Sequence, residues 1–303
     1  MEYKKINWAF LAFLGLELVL MISLVLWGSN IDLDNVMISI LLAESTIVIP
    51  PVIVLVFGKY SEGICNRLAI KKMRPLTFVA VFIYGILIMP IGTLANAISM
   101  LWVDNEVLES SGAMLDAPWY LTLLSSAIIA PVLEEFVFRG FMYCGYRRDG
   151  SRVAAVIMSA LAFALMHLNF NQAAYAFIIG VAFAFIVEAT GSLWSSIMCH
   201  MMFNAESVIV MLVGNYLEPG LYDDVTVDRA SIIDSLPGYI IAAVVATVLA
   251  ILVLAWAAKL QGRLENMRLL FESRSEGENK PKIITGPIVI SFIMCLGYMI
   301  FML

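Results

Sequence analysis

The sequence predicts an all-α protein that crosses a membrane about eight or nine times as a bundle of helices. The chain has 303 residues, of which 62% are hydrophobic and only 14% are charged. A soluble domain is about half apolar and about a quarter charged. Apolar stretches of about 20 residues, the length that crosses a bilayer, recur along the whole chain. The basic residues cluster between alternate stretches, as they do in multi-pass membrane proteins.

Nine apolar stretches are candidate spans, separated by polar or charged segments. In chain order they are residues 8–28, 36–58, 77–101, 119–146, 153–168, 172–189, 191–214, 238–258 and 284–303. The fifth and sixth are short and are joined by a few residues around Asn169 and Asn171. We therefore expect these two to be tilted or to stop short of one interface.

The charges between the spans indicate an orientation. Sixteen of the 18 Lys and Arg residues lie in alternate inter-span regions, and the opposite loops are acidic. The positive-inside rule places the N-terminus in the cytoplasm and the C-terminus outside. The compact loops and the lack of an organellar targeting segment favour a bacterial plasma membrane. Residues 215–237 are predicted to form an acidic external loop. Residues 259–282 form a polar cytoplasmic segment that begins with helical spacing typical of a helix on the membrane surface.

The net charge of −6 and the scattered basic residues do not predict a nucleic-acid interface. Ionisable side chains inside apolar spans are the more informative feature, because each is expensive in lipid and is a candidate functional residue. They are Glu17, Glu44, Glu134, Glu135, Arg139, His167, Glu188, His200 and Glu206. Glu188 is at a span end and is expected to reach the interface. Glu17 and Glu44 have no evident partner in the sequence.

The fourth span contains the stretch PVLEEFVFRGF at residues 131–141. Glu135 and Arg139 are four residues apart, so they share a helix face and can pair. Glu134 points about 100° away around the helix and need not share that pair. Burial opposes its charged form while the nearby Arg139 favours it, a balance that suits a general base. Pro131 is expected to loosen the helix and free a backbone carbonyl, which needs protein or water beside it. A single structural ion network is the alternative interpretation.

The only two histidines of the chain both lie in spans. Phe163 and His167 are four apart in the fifth span, and His200 and Asn204 are four apart in the seventh. Each pair alone is typical of a structural hydrogen-bond pair. Counted from the cytoplasmic ends at 1.5 Å per residue, Glu134, His167 and His200 lie roughly 20, 22 and 14 Å deep. They can therefore converge on one buried site.

Small residues indicate close helix packing beside these positions. Ala160 and Ala164 lie on the His167 side of the fifth span, and Ala176, Gly180 and Ala184 repeat every four residues in the sixth. Such stripes allow helix backbones to approach one another. They predict packing contacts rather than a site.

The motifs EEFVFR, FALMH and HMMFN together resemble the CPBP family of intramembrane proteases, which comprises CAAX proteases and bacteriocin-processing proteins and is also called the Abi family. The family patterns E-E-x-x-x-R, F-x-x-x-H and H-x-x-x-N occur here in that order, over roughly residues 119–210. The resemblance implies a CAAX-protease-like core of four helices in residues 119–214. N-terminal helices in residues 1–118 would precede this core, and an external loop with C-terminal helices in residues 215–303 would follow it.

The resemblance also implies roles for the motif residues in cleaving a membrane-associated protein or peptide. Glu134 would be the general base that activates a water, and His167 would position or polarise that water. His200 and Asn204 would donate hydrogen bonds to the developing oxyanion. Glu135 and Arg139 would hold the site in shape.

The requirement for a metal stays open at this stage. Glu134, His167 and His200 could fill three zinc positions and leave a fourth for water, as in a metalloprotease. The family is also described as using glutamate without a metal, and the sequence has no H-E-x-x-H helix.

Two other functions are compatible with the same residues. In a proton-coupled transporter the glutamates and histidines would form a relay, but the sequence shows no inverted repeat. A non-catalytic bacteriocin immunity or scaffold protein would keep the pocket for binding alone. Nothing in the sequence indicates recognition of a prenyl group.

Overall fold

The computed structural model describes residues 2–27, 36–58, 63–149, 151–222, 228–271 and 283–303. Within these ranges the chain is helical and contains no β-strand, which confirms the predicted fold class. The helices are α1 (Glu2–Trp27), α2 (Val36–Phe57), α3 (Ile64–Arg67), α4 (Pro75–Ser99), α5 (Glu106–Glu109), α6 (Ser111–Asp116), α7 (Trp119–Asp149), α8 (Arg152–Leu165), α9 (Phe170–Thr190), α10 (Leu193–Leu217), α11 (Arg229–Leu260), α12 (Leu264–Phe271) and α13 (Gly286–Phe301).

The helices match the nine predicted spans. Helices α1, α4, α7, α9, α10 and α11 each contain a segment that is long and apolar enough to cross a membrane. The shorter apolar helices, at Glu44–Phe57 and in α8 and α13, correspond to the second, fifth and ninth predicted spans. The sixth span was predicted to be short, which is wrong, because α9 extends over 21 residues. The Asn169 side chain caps α9 by accepting a hydrogen bond from the Gln172 backbone N–H, so the helix begins inside the predicted connection.

The predicted external loop at residues 215–237 is largely helical in its second part. Helix α10 continues to Leu217, and α11 begins at Arg229, where the Asp228 side chain accepts a hydrogen bond from the Ala230 N–H at 3.0 Å. This cap satisfies an otherwise unpaired donor of the first turn and extends the helix beyond its apolar part. The predicted surface helix is α12, which packs against α9 and α11 and buries Leu270. Residues 272–282 lie outside the described ranges.

Helix α7 lies at the centre of the bundle and is not a regular α-helix. Its 31 residues include two π-helical stretches, Leu123–Ile129 and Phe136–Tyr143, on either side of the α-helical segment Ala130–Glu135. Helices α2, α8 and α10 pack against it, α9 packs between α8 and α4, and α11 covers α4. The two glutamates of the fourth span therefore lie where α2 and α10 meet the middle of α7.

The predicted close packing is found between α8 and α9. Ala160 and Gly180 face each other, and a Cβ atom on Gly180 would lie 3.2 Å from Ala160 Cα and 2.9 Å from Arg139 Nη2. Ala176 and Ala184 are buried on the same stripe. The small side chains let the two backbones approach and leave room for the Arg139 guanidinium beside them.

Candidate active site

The backbone of α7 is adapted around Pro131. In a π-helix each carbonyl accepts from the N–H five residues later, so Ser126 O would need the N–H that proline lacks. The Asn204 side chain of α10 supplies this donor, since its Nδ2 lies 2.9 Å from Ser126 O. The freed carbonyl that the sequence predicted therefore exists, and it anchors one of the predicted site residues.

Glu135 and Arg139 form the ion pair that their spacing predicts. Arg139 Nη1 lies 2.8 Å from Glu135 Oε1, and both side chains are completely buried. The Arg139 guanidinium also lies over the Phe163 ring at 4.3 Å and the Phe183 ring at 5.2 Å from the ring centroids. Aromatic faces stabilise a cation that has been removed from water. The ion pair therefore lies at the interface where α7, α8 and α9 pack together.

His200 bridges the two neighbouring glutamates. Its Nδ1 atom is 3.1 Å from Glu135 Oε1, and its Nε2 atom is 3.5 Å from Glu134 Oε2. Because a carboxylate only accepts hydrogen bonds, Nδ1 carries a proton and Nε2 faces Glu134. From its direction on the helix, Glu134 was predicted to stand apart from the ion pair of Glu135 and Arg139. This prediction is corrected by the structure, because the His200 imidazole of α10 lies between the two carboxyl groups and contacts both.

His167 lies just beyond the end of α8, whose last helical residue is Leu165. Its Nδ1 atom is 2.8 Å from the Phe163 carbonyl oxygen. This carbonyl can only accept, so Nδ1 is the protonated nitrogen and the neutral ring has Nε2 as its acceptor. The ring also stands edge-on to Phe163, with the centroids 5.1 Å apart. A hydrogen bond and an aromatic contact thus set both the tautomer and the orientation of His167.

The four predicted catalytic residues line one cavity of about 250 Å³. Glu134, His167, His200 and Asn204 all border this space. A neighbouring cavity of about 290 Å³ shares several lining residues with it, including Tyr175, and is also bordered by Glu206. The second cavity extends toward the connection between α4 and α7. The structure therefore brings together side chains from α7, α8, α10 and the turn after α8, beside a space large enough for part of a peptide.

A zinc ion does not fit the donor set in this arrangement. Among the residues that the structure describes, no three His, Cys, Asp or Glu side chains are placed to hold one metal ion. Both histidines use Nδ1 for a hydrogen bond, to Glu135 and to Phe163, which leaves Nε2 as the ring atom that could bind a metal. The placement of the three side chains, rather than their hydrogen bonds, makes Glu134, His167 and His200 a poor metal site.

Glu44 is a residue of the site region that sequence reasoning missed. The sequence showed no evident partner for it and left open a pairing across helices, and in the structure its carboxyl group is buried against Glu134, within hydrogen-bonding reach. Glu17 accepts a hydrogen bond from Thr46 Oγ1 at 2.6 Å and therefore also has a partner. Residue spacing reveals neighbours on one helix only. The contact of Glu44 with Glu134 depends on how α2 packs against α7.

Glu188, which was expected to reach the interface from a span end, is enclosed by protein and only 1% exposed. Its Oε2 accepts from Tyr143 Oη at 2.5 Å and its Oε1 from Arg147 Nη2 at 2.8 Å. Arg263 Nη2 lies 3.7 Å from Oε1. The end of α9 is covered by the last turns of α7 and by the turn that precedes α12, so the carboxylate is enclosed by cationic side chains. For Arg263 itself, partial burial lowers the pKa of the guanidinium, and Glu188 opposes that effect.

Part of the chain, including the residues of this cavity, is similar to known proteins. Residues 116–205 match the family described as "Type II CAAX prenyl endopeptidase Rce1-like", and this range includes all the predicted site residues. The chain is also 31% identical over 114 residues to the Bacillus subtilis (strain 168) protein named "Putative membrane peptidase YdiL". The aligned region covers 36% of this chain and 47% of that protein, so the chain spans about half the length of this curated relative.

No solved structure matches the chain significantly. The family match contains the three motifs in their predicted order, and the fold around them is a helical bundle with spans of membrane length. These observations confirm the resemblance of residues 116–205 to the CPBP family of intramembrane proteases.

Proposed function

We propose that the protein is an intramembrane endopeptidase that hydrolyses a peptide bond in a membrane-associated protein or peptide, using a water activated by Glu134. The observation that carries this proposal is the shared cavity, where Glu134, His167, His200 and Asn204 face the same space. Peptide hydrolysis requires a general base, a second hydrogen-bond acceptor that orients the water, and donors that stabilise the oxyanion.

In the first step Glu134 removes a proton from a water in the cavity, and the water oxygen attacks the peptide carbonyl carbon. His167 Nε2 is the acceptor left free by the Phe163 contact, and it would hold the second hydrogen of that water. Positioning the water between two acceptors converts a random encounter into an oriented attack. The C–O bond forms while the carbonyl π electrons move to the oxygen.

The oxyanion is stabilised by donors from α10. The Asn204 amide uses one hydrogen for Ser126 O and has a second for the oxyanion. His200 can donate from Nε2 only as an imidazolium, because Nδ1 already donates to Glu135. In that state the net charge of the group is zero, counting Glu134, Glu135, Arg139 and His200. A net charge of zero minimises the electrostatic cost of burying these side chains in a low-dielectric interior.

Collapse of the tetrahedral intermediate breaks the C–N bond. The proton that Glu134 took from the water passes to the leaving nitrogen, so the carboxylate is restored and both products leave neutral at the cleaved bond. The neighbouring cavity that Tyr175 shares gives the peptide room beside the site. We propose that the chain works in a cell membrane with its N-terminus in the cytoplasm, and that its substrates are membrane-associated.

The test uses the full-length protein in lipid vesicles and a panel of membrane-proximal peptides. We expect cleavage by the wild type, and loss of cleavage in Glu134→Ala with unchanged thermal unfolding. The matched control is Glu265→Ala, which removes an exposed carboxylate of α12 that borders neither cavity and should cleave normally. Retained cleavage in Glu134→Ala would contradict the assigned base.

The same samples test the alternative functions and the metal. If the wild type cleaves no peptide but takes up a solute together with protons, and Glu134→Ala abolishes that uptake, the transporter interpretation is correct. If the wild type only binds a bacteriocin, the immunity interpretation is correct. Metal content of the purified protein, and cleavage with and without a chelator, are measured in parallel. The poor donor set leads us to expect no loss of cleavage with the chelator.

A further inference from the structure

We propose that Glu44 of α2 is a positioning residue for Glu134, and that the two carboxyl groups share one proton whose hydrogen bond directs the Glu134 carboxylate toward the reacting water. The proposal rests on the peptidase function proposed above. Glu44 lies outside the segment that matches the family, which begins at residue 116.

The first argument is the contact itself. Helix α2 packs against α7 on both sides of Pro131, and this brings Glu44 against Glu134. Glu44 is 7% exposed, and no donor from the described residues reaches its Oε2 atom. Two ionised carboxylates in contact repel strongly when water is excluded, whereas one proton between them makes a charge-assisted hydrogen bond. The geometry is therefore that of a pair with a single shared proton.

The second argument is the balance of charge around the pair. Helix α7 contributes Glu135 and Arg139, and α10 contributes His200, which lies 3.5 Å from Glu134 Oε2. One shared proton on Glu44 and Glu134 lowers the negative charge of this buried group by one, whichever state His200 takes. Without the shared proton the group would be more negative, with the Glu17 carboxyl of α1 near Glu44 as well. Burial of uncompensated charge is strongly unfavourable.

The shared proton has a consequence for each catalytic cycle. The Glu44 O–H donates to one oxygen of Glu134 and leaves the other oxygen for His200 and the water. When Glu134 takes the water proton, the pair holds two protons. When the leaving nitrogen takes one of them, the pair returns to a single proton. Glu44 touches neither the water nor the peptide, so its effect passes entirely through Glu134.

The first test is the pH profile of cleavage by full-length protein in vesicles. Glu44→Gln keeps a donor for Glu134 but cannot ionise. We expect near-wild-type kcat at neutral pH and loss of the decrease in kcat that deprotonation of the pair causes at high pH. Glu44→Ala removes the donor, and we expect a 10- to 100-fold lower kcat with little change in KM.

The matched control is Glu17→Gln, which removes a carboxylate from the neighbouring helix but leaves the contact between Glu44 and Glu134 intact. We expect its kcat to keep the high-pH decrease of the wild type. A purely structural role for Glu44 predicts a different result, in which both Glu44 variants unfold more easily and the folded fraction keeps the wild-type pH profile. That result would overturn the proposal.

The second test does not depend on cleavage. The infrared C=O stretch of a protonated carboxyl group should be present in the wild type at neutral pH, shifted or lost in Glu44→Gln, and unchanged in Glu17→Gln. If the wild type cleaves peptides but Glu44→Gln changes neither this band nor the pH profile, proton sharing is wrong and the peptidase function stands. If the band responds but no peptide is cleaved, the peptidase function and the positioning role fail together.

Discussion

The bundle contains two buried glutamate–arginine clusters that differ in how completely their polar atoms are paired. Around Glu188, both carboxylate oxygens accept hydrogen bonds, from Tyr143 and Arg147, and Arg263 adds a further positive charge. Around Glu135, the Arg139 atoms Nε and Nη2 and the Glu135 atom Oε2 have no hydrogen-bond partner among the described residues. In the first cluster the Arg147 Nε atom also lacks a hydrogen bond, but it lies 2.6 Å from Glu188 Oε2, whereas both partners of the second cluster have unpaired atoms. We call the second cluster unsaturated.

This difference separates a structural role from a chemical one. Buried polar groups are normally paired, so an unpaired group indicates strain, an unseen ligand or a catalytic function. The unsaturated cluster borders the 250 Å³ cavity through Glu134 and His200, whereas Glu188 does not line it. Charge alone does not distinguish the proposed site, because both clusters are charged. The combination of charge, incomplete pairing and an adjacent cavity is what supports it.

The largest expected effect is that of Glu134→Gln on cleavage. The substitution keeps the size of the side chain but removes the base, so we expect kcat to fall about 1,000-fold, since a positioned general base contributes about 10² to 10⁴. The thermal unfolding midpoint should stay within about 2 °C, because the side chain faces a cavity and does not complete an ion pair with Arg139. Peptide cleavage and unfolding are measured on the same vesicle preparation. A large loss of stability would assign Glu134 to the structural network instead.

Glu135→Gln is expected to lower both stability and activity. The amide oxygen still accepts from Arg139 and His200, but the buried guanidinium loses its countercharge. Removing one partner of a fully buried pair destabilises by about 3 kcal/mol, and a misplaced His200 should lower kcat about 10-fold. Unfolding in a denaturant series and cleavage at saturating peptide test the two effects. Loss of activity with unchanged stability would show that Glu135, rather than Glu134, does the chemistry.

Glu188→Gln should produce the opposite pattern to Glu134→Gln. Arg147 and Arg263 are about a quarter exposed, so water compensates part of the lost charge. We expect about 2 kcal/mol of destabilisation, between the values for surface and buried pairs. The kcat of the folded protein should change less than twofold. A strong decrease in kcat at constant stability would connect the Glu188 cluster to the reaction and remove the contrast between the two clusters.

The smallest expected effect on stability is that of Gly180→Ala. The new Cβ would lie 2.9 Å from Arg139 Nη2 and 3.2 Å from Ala160 Cα, so the guanidinium or the α8–α9 contact has to shift. Overpacking of this kind destabilises by about 1 kcal/mol or somewhat more. We expect a modest loss of stability and a several-fold lower kcat, because Arg139 positions Glu135. The control is Gly297→Ala in α13, where a Cβ meets no neighbour.

The sequence predicted the parts of this protein that depend on one helix at a time. Spans follow from apolar length, the Glu135–Arg139 pair follows from a four-residue spacing, and the carbonyl freed by Pro131 follows from the missing N–H. The sequence did not predict that His200 contacts both glutamates, that Glu44 reaches Glu134, or that Glu188 is enclosed. These contacts depend on the angles between helices and on the π-helical stretches of α7, which residue spacing does not encode.

The π-helical stretch Leu123–Ile129 sets which side chain of α7 faces the cavity, where Glu134 lies now. A π-helical turn holds about one residue more than an α-helical turn, and one residue corresponds to about 100° of rotation. If the same residues formed a regular α-helix, the rest of α7 would turn by about 100°, and Leu133 would take the angular position that Glu134 has now. The direction of the proposed base is thus a matter of backbone phase, which the wide turn sets without any change in the motif itself.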